Sequence, residues 1–301
     1  MDIYHAVGGP NIIEAMQGAL RPGVFRPTPN ILISFPFLRG SIHKLLNLKQ
    51  QGKINRLFLD AGTFTLNVYE KSTDPKMKSR FEEYAQFVKL YGNHFDLIAS
   101  YDEDFNDPQL NQILLEQMQI MMEWNIDVFK QKILPVVHEQ NDKSIREFKD
   151  YVDMGYNYIA IGSKPGLKKG KWEVIQQFIA AKASSGINVS THIFGNMSYP
   201  KLVAMQPSST DASSFAKAAA FNIMYYWNQR THDLEKVLLM EPTEESSSSK
   251  NATRLNAKHH EFLISTFGYE PDDLIAYSDK RSIVNMYGLC LMEQALNANR
   301  P

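Results

Sequence analysis

Eight short runs of β-branched and aromatic residues recur along this chain, and most of them are followed by a stretch with helical spacing. That alternation constrains the fold more than any other feature. Repeated strand–helix units set the strands parallel and put the helices over them. The runs are Ile3–Val7, Ile31–Phe35, Arg56–Asp60, Leu97–Tyr101, Ile133–His138, Tyr158–Gly162, Ile187–Phe194 and Leu202–Pro207. Helical spacing is read over Asn11–Leu20, Ser41–Gln51, Lys76–Tyr91, Pro108–Asn125, Ser144–Gly155 and Trp172–Ser185. Tyr199–Lys201 is read as a short turn and Asp211–Trp227 as a long Ala-rich helix. Asp107-Pro108 supplies an N-cap with proline at the first helical position, and Gly155 and Gly186 stand where helices should stop.

Eight such units match a (β/α)₈ barrel, which uses about 250 residues as one domain. An open doubly wound sheet shows the same alternation and is the main rival; its dinucleotide-binding form carries a G-x-G-x-x-G after the first strand. Here Gly8-Gly9-Pro10 is too short and holds a proline. The expected fold class is therefore α/β, a TIM barrel over residues 1–240. A polar, serine-rich stretch over 241–257 reads as a linker, and a C-terminal helical extension fills 258–301. Within that tail, His259–Phe267 and Arg281–Asn297 look amphipathic. The tail either packs on the barrel or forms an oligomer contact, in which case a homodimer is expected.

Composition narrows the function. Of 301 residues, 44% are hydrophobic and 22% charged, which is ordinary globular composition. A single cysteine, Cys290, makes neither an internal disulfide nor a cysteine-rich zinc site. No apolar run approaches the roughly 18 residues of a membrane span. The start, Met1–His5, lacks the basic and apolar regions of a signal peptide. The expected compartment is the cytoplasm, with no membrane partner. A net charge of −1 argues against nucleic-acid binding by broad electrostatics alone. The local cluster Lys164, Lys168, Lys169 and Lys171 reads either as a solvated loop or as a phosphate contact.

Barrel enzymes collect their chemistry at the C-terminal ends of strands. Three runs end in or near aspartate: Leu57-Phe58-Leu59-Asp60, Ser100-Tyr101-Asp102-Glu103-Asp104, and Ser208-Ser209-Thr210-Asp211. Each aspartate reads either as a turn or helix cap or as a functional carboxylate. Asp211 is expected to open a helix, where the dipole would keep it ionised as a nucleophile. His138 and His192 also stand near strand ends, as hydrogen-bonded structural residues or as ligands.

In chain order, these segments resemble the guanine transglycosylase family. That family includes queuine- and archaeosine-type tRNA-guanine transglycosylases and DNA-directed 7-deazaguanine transglycosylases, the latter often phage-encoded. The carriers are Leu59-Asp60-Ala61-Gly62-Thr63-Phe64, Ser100-Tyr101-Asp102-Glu103, Ala160-Ile161-Gly162, His192-Ile193-Phe194-Gly195, and Ser208-Ser209-Thr210-Asp211-Ala212-Ser213-Ser214-Phe215. The last resembles the signature of the DNA-directed branch.

The resemblance implies a pentosyltransferase that exchanges guanine in DNA for a 7-deazaguanine base such as preQ0. Asp211 would attack the sugar C1′ and form a covalent glycosyl-enzyme, while Asp60 serves as general acid and base. Asp102 would accept hydrogen bonds from the base's Watson–Crick edge and Tyr101 would help hold the flat ring. Gly62, Phe64, His138, Gly162, Ser163, His192 and Gly195 complete the implied substrate site, with no metal and no cofactor. His138 stands where the tRNA enzymes carry glutamine, and Ser163 where they carry glutamate. Their zinc subdomain has no counterpart here, which favours DNA over tRNA. The alternatives are a tRNA enzyme without that subdomain, and a metal-dependent hydrolase or lyase using Asp102, Glu103, His138 and His192. A non-catalytic partner subunit is a third; retention of all three aspartates speaks against it.

Overall fold

The computed structural model describes residues 1–38, 40–63, 76–103, 107–138, 142–162, 177, 180–184, 186, 188–195, 198–212, 214–240 and 252–298. Phe64, Asp104, Ser163, the four clustered lysines and most of the serine-rich stretch lie outside the described residues. One parallel sheet is built from β1 (Asp2–Ala6), β2 (Asn30–Ser34), β3 (Leu57–Asp60), β4 (Leu97–Ala99), β5 (Ile133–Leu134), β6 (Val136–His138), β7 (Tyr158–Gly162), β8 (Ser190–Ile193) and β9 (Ser209–Ala212). Its order is β5-β4-β3-β2-β1-β9-β8-β7-β6.

The two strands at the ends of that order are halves of one extended segment. Pro135 separates them and has no N–H to give the ladder, so the pairing breaks there. The first half pairs with β4 and the second with β7, which joins the two edges of the sheet. The Pro135 carbonyl still accepts from Ala160 at 2.9 Å, and the Ser100 hydroxyl accepts from the Val136 N–H at 3.2 Å. The sheet thus curls into the expected α/β barrel, with helices around it.

Side chains alternate along each strand, and this decides which ones meet in the middle. Tyr4, Leu32, Phe58, Leu97, Val136 and Ala160 fill the barrel interior. Their neighbours Ile3, Ile33, Leu59, Ile98, Val137 and Ile161 belong to a larger core shared with the helices. Two residues beyond an interior position lies the barrel mouth. By that count Asp60 follows Phe58, His138 follows Val136, and Gly162 follows Ala160.

The eighth strand differs from expectation. Of the expected strand Leu202–Pro207, the residues Leu202–Met205 belong to a helix, Tyr199–Met205, which buries Leu202 and Met205 three residues apart and leaves Val203 exposed. The barrel strand is instead the polar Ser209–Ala212. It tolerates burial because its hydroxyls are satisfied: Thr210 donates to the Ile193 carbonyl, and Ser209 meets Tyr158 and His192. The long helix read over Asp211–Trp227 is also corrected. A short helix, Ser214–Ala220, ends near Asn222, whose φ is +55°, and the chain then turns into a strand. That strand, β10 (Ile223–Asn228), pairs antiparallel with β11 (Asp233–Leu238), and β12 (Thr253–Arg254) lies parallel to β11.

The last helix, Ser278–Ala298, packs on β1, β10, Asn11–Ala19 and Ser214–Ala220. Asn285 anchors it. Its side chain accepts from the Tyr225 N–H at 2.6 Å and donates to the Phe215 and Ile223 carbonyls, each at 3.0 Å. All of this is buried. Asn285→Ala strands three backbone groups at once, and we expect a loss of about 3–5 kcal/mol of stability, read by urea denaturation.

Candidate functional site

Three carboxylates interact at the C-terminal end of the barrel, and each has a different environment. Asp60 ends β3 and stays partly exposed at the mouth. The Ser34 hydroxyl donates to its Oδ2 at 2.7 Å, and the Gly62 N–H also favours the ionised form. Burial outweighs those donors, and the nearby charges of Asp102 and Asp211 add to it, so the carboxyl is pushed up to about 6. Gly62 takes φ +80°, and a Cβ there would meet Pro36 at 2.6 Å. The missing side chain therefore makes room for Pro36, while the backbone N–H turns onto Asp60.

Asp102 lies just beyond β4 and is buried. The Thr63 hydroxyl donates to its Oδ1, and His138 Nε2 stands 2.7 Å from its Oδ2. Each oxygen keeps a further lone pair for a ligand. Gly162 backs the His138 ring: a Cβ on it would come within 2.9 Å of Nδ1 and 3.0 Å of Cε1. Gly162→Ala should push the imidazole away from Asp102 and destabilise the fold by about 1–3 kcal/mol. Thermal unfolding checks the cost. A shift in the His138 imidazole NMR signals would report the lost Asp102 contact.

Asp211 lies inside β9 instead of opening a helix. Its charge is met by a backbone donor: the Gly195 N–H reaches Oδ1 at 2.6 Å. Gly195 reaches that position at φ +66°, a conformation glycine adopts freely. Expected to face a bound base, this N–H is turned onto the carboxylate.

Below Asp211, His192 is fully buried against Phe58 and Phe194, with ring centroids at 4.7 and 4.6 Å. Burial lowers its pKa, with Asp211 pulling the other way, so the ring is neutral near pH 7. Nδ1 lies 2.7 Å from the Ser209 hydroxyl, which lies 2.6 Å from the Tyr158 hydroxyl. Nε2 is 3.6 Å from Asp211 Oδ1. A carboxylate favours the tautomer with the proton on Nε2. Nδ1 then accepts from Ser209, and Ser209 from Tyr158. His192 thus supports Asp211 from below and does not line the mouth.

Tyr101 is placed differently from expectation. Strand β4 ends at Ala99, two residues short of the apolar run. The Tyr101 ring is buried with Phe81 and Tyr84, centroids 5.6 and 5.8 Å away, in the layer under the helices. It faces away from the mouth and does not present its ring there.

Ser34 and Thr63, which donate to Asp60 and Asp102, and Ser209 and Tyr158, which bond behind His192, carry no mark in the sequence, because a lone hydroxyl's context does not reveal its partner. Glu147, inside the helix Asp142–Asp153, was missed too. Burial pushes its carboxyl up to about 8, and the charges of Asp102 and Asp150 add to the effect. Among the described residues, no three His, Cys, Asp or Glu side chains come together as a metal-ligand set. His138 and His192 point ring nitrogens at Asp102 and Ser209.

Among known proteins, no family model matches this chain, and no curated protein matches it in sequence.

Proposed function

We propose that this protein exchanges a purine base in DNA, replacing guanine with a 7-deazaguanine through a covalent aspartyl-glycosyl intermediate. The observation that carries the reading is the division of labour among the three acids. Asp211 is held by the Gly195 N–H and backed by His192, as an ionised nucleophile should be. Asp60 is pushed up to about 6, where a carboxyl can both give and take a proton near neutral pH. A carboxyl raised in this way, beside a second carboxylate held by a backbone N–H, suits an acid–nucleophile pair at a glycosidic centre.

In the first step an Asp211 oxygen bonds to the sugar C1′ as the bond from C1′ to the guanine nitrogen breaks. The electron pair leaves with the base, and the Asp60 proton neutralises it. In the second step the incoming 7-deazaguanine gives its ring N–H proton to Asp60. The freed nitrogen bonds to C1′, and the Asp211 ester oxygen departs as carboxylate. Asp102 accepts the amino and ring N–H groups of whichever base is bound. A guanine in a duplex has to leave the stack first.

The test is incorporation of labelled preQ0 or guanine into duplex DNA, single-stranded DNA and tRNA, run separately with and without chelator. Label in DNA, unaffected by chelator, supports the reading. Label only in tRNA moves the substrate to the other polymer. Incorporation abolished by chelator favours a metal-dependent enzyme, and label in none of the three rejects base exchange by this chain alone.

A further inference from the structure

A groove of about 560 Å³ begins beside Asp211 and runs outward between Ser198–Tyr199 and the hairpin strand β11. Gly195, whose N–H holds Asp211, lines its inner end together with Ser214. The size is that of a small-molecule site, which spans about 300–1,000 Å³. Three features give it chemistry. The Tyr199 ring lines one wall and is backed by the buried Trp227, centroids 5.2 Å apart, so it is a supported platform. The Ser214 hydroxyl at the inner end is buried and has no hydrogen-bond partner. Across the groove, Lys236 presents an ammonium group from an exposed position of β11, on the strand face that also carries Tyr225 and Trp227.

Glu235 also lines the groove, but its charge is already met from behind. Lys258 lies 2.9 Å from its Oε1 and His259 3.1 Å from its Oε2. A phosphodiester entering here would face Lys236 without an unbalanced acid at Glu235.

We infer that this groove binds the nucleotide next to the one that reacts, in an unstacked stretch of the DNA substrate. The inference rests on the base-exchange reading. The neighbouring base stacks on Tyr199, as bases do on aromatic platforms. Lys236 meets the connecting phosphate, and the unpartnered Ser214 hydroxyl gains a sugar or phosphate oxygen. The groove accordingly holds the neighbouring nucleotide by its ring face and its phosphate, whichever base it carries.

The experiment titrates a fluorescent single-stranded DNA of about 12 nucleotides, a length within known single-strand site sizes, with one central guanine. Wild type, Tyr199→Ala, Tyr199→Phe and Lys236→Ala are compared by anisotropy, and their exchange kinetics are measured in parallel. Losing a stacked base at about 1–3 kcal/mol weakens binding roughly 5- to 150-fold. We expect that loss for Tyr199→Ala and a change within about twofold for Tyr199→Phe, which keeps the ring. KM for DNA should rise, while KM for the free base stays constant. Lys236→Ala lies on an exposed position, so it tests the groove even where Tyr199→Ala folds poorly. It should lower the salt dependence of binding by about one phosphate contact. Wild type that exchanges base while Tyr199→Ala and Lys236→Ala bind DNA normally overturns the groove assignment and leaves base exchange standing. Wild type that neither binds DNA nor exchanges base overturns both.

Discussion

Asp211→Asn is expected to leave the protein folded and to abolish base exchange, with a fall of about 10⁴-fold or more, as for other enzymes that lose a nucleophile. Asparagine keeps the shape of the side chain, and its amide oxygen can still accept from the Gly195 N–H that now reaches Oδ1 at 2.6 Å. What it loses is the negative charge and the lone pair that forms the bond to C1′. The melting temperature should therefore stay within a few degrees while label incorporation disappears. A second readout makes the assignment specific. Wild type mixed with DNA and no incoming base should form a species that survives denaturing electrophoresis, because the glycosyl ester is covalent. Asp211→Asn should form none. An adduct that persists in Asp211→Asn and vanishes in Asp60→Asn would exchange the roles of the two acids.

The support beneath Asp211 explains why this position suits a nucleophile. A carboxylate buried in the mouth of a barrel must be paid for by donors, and here the donor is the fixed Gly195 N–H, with the buried His192 ring 3.6 Å away. His192 cannot swing out to bind substrate, because Ser209 holds its Nδ1 and aromatic rings close on it. The chain Tyr158–Ser209–His192 ties together the neighbouring strands β7, β9 and β8 and fixes the ring beneath Asp211. Such support would limit reorganisation as charge moves off Asp211 in the proposed first step.

Much of this was readable from residue order, and the failures have physical causes. Leu57-Phe58-Leu59-Asp60 announces both a strand and its acid, because an apolar run buried on both faces can end in only one polar group at the rim. Ile133–His138 was read as one strand, and the split at Pro135 changes the ladder without moving the chain. The eighth strand was misplaced because hydrophobicity was used as the guide. Ser209–Ala212 is buried through satisfied hydroxyls, which no composition rule reveals, while Leu202-Val203-Ala204-Met205 is apolar yet helical. That error carried Asp211 out of its strand and hid the hairpin β10–β11. Tyr101 was misdirected for a smaller reason. Had β4 run to Tyr101, strict alternation from Leu97 and Ala99 would have turned its ring inward, but the strand stops at Ala99. Asp60 and Asp102 are legible as polar residues after apolar runs, whereas the hydroxyls that meet them, Ser34 and Thr63, and Ser209 on His192, are not, since hydroxyl pairing depends on neighbours distant in sequence.

Asp60 should set the alkaline limb of the pH profile. Its carboxyl is pushed up to about 6, so the proton it would give to a departing guanine in the proposed reaction is present below that pH and lost above it. The release step should therefore slow about tenfold for each pH unit above 6, as the protonated fraction falls. Asp60→Asn should cost about 10²–10⁴-fold and flatten that limb, because the amide cannot transfer the proton. Stability should move the opposite way. A carboxyl whose pKa is raised by folding binds its proton more tightly in the native state than in the unfolded chain, so its contribution declines as pH rises from about 4 to 6. Above that window the folded protein carries an ionised Asp60 among Asp102 and Asp211. The neutral asparagine removes that burden, and the variant should melt higher than wild type at pH 8, with little difference at pH 4. Thermal unfolding at the two pH values measures this directly. A variant that loses activity without gaining stability at pH 8 would mean that Asp60 is not strained by burial, and its raised pKa would then be the wrong basis for its role as acid.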